Sequence, residues 1–131
     1  MVRTLTRTEV LRELVDLSGV VGAAFVGPDG ALLEGAPAGS PLLSVAPRLG
    51  GYLASGRVLA ELLGAEFATQ TVLEFGAQTV LLTRLVDTSE APLSVVALTS
   101  ADEVGRVRFS LRRLLPLLAP GGADQPTPAL E

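Results

Sequence analysis

A chain of 131 residues, 48% of them apolar, is long enough for one domain with a core of its own and too short for two. Cys, His and Lys are all absent, which excludes disulfides, thiol nucleophiles, imidazole bases, Schiff-base lysines and the commonest transition-metal ligands together. The ten basic residues, all Arg, face fourteen acidic ones, and the net charge of −4 argues against a duplex nucleic-acid binder.

The N-terminus carries Arg3 and Arg7 but no apolar stretch before Glu9, so it does not read as a secretory signal. Thr6-Arg7-Thr8-Glu9 forms a capping box, with Thr6 as N-cap and Glu9 at N3, and Leu5 and Val10 stand where a hydrophobic staple sits. Val10, Leu14 and Leu17, with Leu11 and Val15 beside them, make one apolar helical face. Ser18-Gly19 ends that helix, with Gly19 suited to the left-handed C′ position. The apolar run 20–26 reads as a strand buried on both faces. Gly27-Pro28-Asp29-Gly30 turns the chain into a second strand over 31–35.

After a Pro/Gly/Ser loop, Ser40-Pro41 supplies an N-cap and an N1 proline for a helical segment over 42–63. Pro47 inside it predicts an irregular or separate first turn, and Gly64 stops it. Strands follow over 67–75, 79–86 and 93–99, the first two joined by Gly76-Ala77-Gln78 and the last two by a polar loop. Ser100-Ala101-Asp102-Glu103 forms a second capping box, ahead of an apolar stripe of Val104, Val107, Leu111, Leu114 and Leu118. Pro116 disturbs the last turn, and residues 119–131 read as a flexible Pro/Gly/Ala-rich tail on a domain of residues 1–118.

The order α-β-β-α-β-β-β-α implies an α+β fold with a five-stranded antiparallel sheet. Its strands are apolar on both faces, so two helices should cover one face and the central helix the other. No segment can span a bilayer: the longest charge-free stretch, 35–47, holds three prolines. A cytoplasmic protein is expected.

In these features the chain resembles the roadblock/dynein light chain family, over roughly residues 5–118. The carriers are Leu14-Val15-Asp16-Leu17-Ser18-Gly19-Val20, Gly22-Ala23-Ala24-Phe25-Val26, Pro28-Asp29-Gly30, Leu73-Glu74-Phe75 and Val104-Gly105-Arg106. The resemblance implies the roadblock, profilin-like architecture and homodimers that join two sheets edge to edge and pair two central helices. It further implies a bacterial regulator or scaffold that binds a Ras-like small GTPase, in one type stimulating its GTP hydrolysis. Pro47 and Gly50-Gly51 depart from the family pattern in the central helix.

That helix is apolar nearly all round, which calls for a second covering surface. Ala46, Gly50 and Ala54, spaced by four, suggest a small-residue groove for close helix approach, with Leu53 beside it. Arg57 and Glu61 read either as an exposed intrahelical pair or as a reciprocal pair across a two-fold axis. Thr69, Gln70, Thr71 and Leu73 suit a strand edge that pairs with a partner, the edge position itself being implied by the resemblance. Arg106, Arg108, Arg112 and Arg113 crowd the last helix and read as a solvated face, with no aromatic platform for stacking.

Two motif matches fail on context: Gly19-Val20-Val21-Gly22 opens a strand with no helix after it, and Asp29-Gly30 lacks further acidic ligands at calcium-loop spacing. Asp16 with Ser18, and Asp102 with Ser100, lack a His or Lys base and read as helix-end residues. The expected function is therefore non-catalytic and needs no cofactor or metal: a homodimeric regulator or scaffold whose partners are itself and a Ras-like GTPase. The alternative is a small-ligand sensory α/β domain, which would need a polar-lined cavity.

Overall fold

The computed structural model describes residues 4–27, 31–65, 70–85 and 94–118. The first helix, α1 (Arg7–Val15), begins as its sequence predicts. The Thr6 hydroxyl accepts the Glu9 N–H at 3.1 Å, and the Glu9 carboxylate accepts the Thr6 N–H at 2.8 Å. Asp16 is its C-cap, so the C′ position falls on Leu17 and not on Gly19. Gly19 instead opens β1 (Val20–Val26) with φ +86°. Its carbonyl accepts the Ser100 N–H at 2.9 Å, and a Cβ there would lie 2.5 Å from Glu103 Cγ and 2.6 Å from Ser100 Oγ. Glycine is required at this point both for its backbone angle and for the room it leaves.

Strand β2 is Leu32–Ala36, β3 Gln70–Phe75, β4 Gln78–Arg84 and β5 Ser94–Ser100. They form one five-stranded sheet in the order β2-β1-β5-β4-β3, and the pairings between neighbours are all antiparallel. Successive side chains of a strand point to opposite faces, and here both sets are buried. Ala23 and Phe25, Val95 and Ala97, and Leu81 look toward α1 and the last helix, α4 (Val104–Leu114). Ala24 and Val26, Val96 and Leu98, and Val80 and Leu82 look toward the central helical segment. The expected split of two helices on one face and one on the other is what the structure contains.

Pro47 divides that central segment into three pieces. A short helix α2 (Pro41–Val45) runs into a 3₁₀ turn (Ala46–Leu49), and α3 (Gly50–Leu63) follows. Proline cannot supply the N–H of a continuous α-helical ladder and its ring crowds the preceding turn. Ser40 starts α2, its hydroxyl accepting the Leu42 N–H at 3.3 Å and donating to the Val21 carbonyl at 3.2 Å. A Cβ on Gly22 would lie 2.1 Å from that hydroxyl, so Gly22 is what lets α2 dock on β1. Gly64 closes α3 in the left-handed region, φ +66°.

The second capping box does not form. Ser100 is still the last residue of β5, and a 3₁₀ turn (Ala101–Glu103) precedes α4, which makes Glu103 the N-cap in place of N3. Its carboxylate pairs with Arg106 Nε at 3.2 Å instead. Val107, Ser110, Leu111 and Leu114 are the buried side of α4, and Pro116 sits in a closing 3₁₀ turn (Leu115–Leu117). Leu5 and Leu118 then form an isolated parallel bridge, with the Leu5 N–H on the Leu117 carbonyl at 2.7 Å. The strand expected over 67–75 begins at Gln70 among the described residues; the turn at Pro28-Asp29-Gly30, the loop over 87–92 and the tail over 119–131 lie outside them.

Two substitutions probe these constraints by urea denaturation. Thr6→Ala should lower the unfolding free energy by about 1 kcal/mol, the worth of an N-cap. Gly19→Ala should lower it by about 2 kcal/mol or more, since strain in the left-handed region adds to the clash with Ser100 and Glu103.

Candidate functional site

Helix α3 carries more apolar surface than its own domain covers. Ala46 and Leu49 at its approach are buried in the core under the sheet, Leu53 packs against that core, and Ala60 is buried. Tyr52, Val58, Leu59, Leu62 and Leu63 are exposed, the last two at 77% and 78%. A helix lying on a sheet needs one apolar stripe. This one has a second stripe turned to solvent.

The small residues do not line up as a groove. Each residue advances about 100° round a helix, so a step of four rotates by about 40°. Ala46 is fully buried in the protomer core, Gly50 is half-buried and Ala54 is exposed. The row turns from the sheet toward solvent, and Ala46 packs the sheet face and is no part of an outer surface. Arg57 and Glu61 are both exposed, one turn apart.

Strand β3 ends the sheet order, so the edge position expected for it holds. Thr71, Leu73 and Phe75 share the α3 side of the sheet, opposite Leu82, Val80 and Gln78 of β4. Leu73 packs partly on the core there, and Phe75 and Val72 are exposed. Gln70 is half-buried and its amide donates to the Thr83 hydroxyl at 3.3 Å, so that side chain is engaged within the protomer. Thr69 lies outside the described residues. Small-residue spacing does not point to the exposed Val58, Leu59, Leu62 and Leu63, whose signal is the helix's excess of apolar residues, nor to Phe75 at the end of β3.

Among the described residues no three carboxylates gather where a metal ion would sit, and no helix is long and apolar enough to cross a membrane. On the other side of the sheet, Arg106, Arg108, Arg112 and Arg113 are exposed on α4. Contrary to expectation, an aromatic ring stands among them, Phe109, 65% exposed.

The sequence profile of the Roadblock/LC7 domain matches residues 6–91, more than half of the chain. The chain belongs to the Roadblock/LC7 domain family. Solved structures show the same fold in this roadblock domain's neighbours. The gliding protein MglB of Thermus thermophilus is 22% identical, with a TM-score of 0.67 over 81% of this chain and 80% of its own. An MglB with a tetrameric arrangement is 21% identical, with a TM-score of 0.67 over 81% and 79%. A Roadblock/LC7 domain from Streptomyces avermitilis is 13% identical, with a TM-score of 0.71 over 86% and 93%. None of the functionally curated proteins matches the chain.

The division of the central segment into a packed approach and an outer side of α3 is open to a direct comparison. Leu49→Ala should cost about 2–4 kcal/mol of protomer stability through the cavity it leaves. Leu63→Ala should stay within about 0.5 kcal/mol when both are unfolded by denaturant at high dilution.

Proposed function

We propose that this roadblock domain works as a homodimeric regulator or scaffold for a Ras-like small GTPase, acting through binding and without a catalytic site of its own. The observation that carries the reading is the exposed apolar side of α3 on the same sheet face as the exposed Phe75 of β3, the edge strand. Apolar side chains gathered on one helix side and left to solvent suit an interaction site, and an unpaired strand edge invites pairing.

A two-fold axis near β3 would set two such edges side by side and bring two α3 helices together. The same patch is then used by both copies, as two-fold symmetry demands. In that arrangement Leu53, Ala54, Arg57, Glu61, Val58 and Leu62 meet across the helix pair, and Thr69, Gln70, Thr71 and Leu73 lie along the strand pair, with Gly50 at the start of the seam. The absence of His, Lys and Cys supports a role in which any stimulation of GTP hydrolysis is exerted on the partner's own site. A cytoplasmic location fits such a partner.

Sedimentation equilibrium at tens of micromolar should give a dimer; a clean monomer there would sink the proposal. Leu62→Glu should weaken that dimer at least tenfold while leaving the circular dichroism spectrum unchanged, because it places a charge in the helix pair and not in the core. A pull-down from native lysate, read for a GTP-loaded small GTPase, tests the partner, and its absence from repeated captures counts against that half of the reading.

A further inference from the structure

We infer that the outer face of α4 is a second docking surface, built for an acidic protein partner that offers an apolar recess to Phe109. A single exposed apolar residue is ordinary on a protein surface, but four further features converge here. Phe109 is central on the solvent side of α4, opposite the buried Val107, Leu111 and Leu114, with Arg112 and Arg113 one turn ahead of it and Arg106 and Arg108 flanking. The stretch from Val104 to Leu118 contains no acidic residue, although the chain as a whole carries a net charge of −4. Arg106 pairs with Glu103, and Arg113 lies 4.0 Å from Glu13 of α1; among the described residues Arg108 and Arg112 have no such carboxylate partner.

The fourth feature is Gly105, one turn before Phe109 on the same side. A Cβ there would meet nothing within 4 Å among the described residues, so packing leaves room for a side chain at this point. Glycine is a poorer helix former than alanine. The bare backbone leaves a flat approach beside the phenyl ring, a shape that serves an incoming surface.

Charge selects the occupant. A cationic rim around an aromatic anchor matches an anionic surface with an apolar centre, and Arg and aromatic residues are the enriched types at protein interfaces. A lipid surface is the poorer match: stable anchoring takes a larger basic cluster or a second signal. Single-stranded nucleic acid needs successive aromatic platforms, and this face has one. The surface lies across the sheet from α3 and rests on no part of the dimer reading, so both faces can be occupied together.

The test places the photocrosslinker p-benzoylphenylalanine at position 109 of the full chain in native lysate, with crosslinked peptides identified by mass spectrometry. The expected result is a partner protein crosslinked through an Asp/Glu-rich peptide. Its yield should fall at least tenfold in Arg108→Glu/Arg112→Glu, whose unfolding midpoint should match the parent. The yield should return when the partner's acidic residues are reversed to Arg, and should persist in Leu62→Glu. The inference is overturned by crosslinks to a second copy, to residues 119–131, to lipid or to nucleic acid. It is equally overturned by no crosslink, by a yield indifferent to the Arg reversals, by loss of the crosslink in Leu62→Glu, or by flotation of the full chain with phosphatidylglycerol vesicles.

Discussion

The sheet of this domain is apolar on both sides, and the placing of every helix follows from that constraint. Strand β5 is buried from Ser94 to Thr99, with Val95 and Ala97 facing one core and Val96 and Leu98 the other. A sheet of that kind cannot leave a face to water, so the chain must supply cover on each side. On one side α1 and α4 do so together, around Phe25, Leu81 and Leu111. On the other the cover is the central segment alone, and its contribution concentrates in Leu42, Ala46 and Leu49. Beyond Leu49 the helix continues with little of the sheet to hold, which is why its later apolar residues face outward.

Much of this architecture is legible in the sequence. The Thr6 capping box, the bounds of β1, the break at Pro47 and the division of helices between faces follow from local rules that the tertiary structure obeys. The failures have specific causes. The Ser100 capping box has the right residues at the right spacing, but β5 keeps Ser100 and inserts a 3₁₀ turn, so Glu103 cannot reach back as N3. Gly19 takes the left-handed angle its residue type suggests but not the expected place, because the chain spends two more residues between α1 and the glycine.

The candidate site is half visible for a similar reason. Excess apolarity in the central helix is a property of composition, and composition is readable. Which residues point outward depends on the phase of the helix after the 3₁₀ turn, and the sequence alone does not set that phase. Ala46 and Ala54, equivalent by spacing, end one in the core and the other in solvent. Phe109 escapes notice because it sits among arginines, where a charge run reads as simple solvation; only its position opposite Leu111 and Leu114 shows it as an anchor with a rim.

The bridge between Leu5 and Leu118 bears on how the molecule comes to exist. Helices α1 and α4, far apart in the chain, share one core, and the chain segments flanking them are tied by the Leu5 N–H on the Leu117 carbonyl. A nascent chain on the ribosome can lay down β1 and β2 early, yet the surface under Phe25 stays open until α4 has emerged. Contacts of such long sequence separation slow folding and expose apolar strands while they wait. Synthesis of this domain is therefore expected to end in one late closure, with chaperone demand greatest just before it.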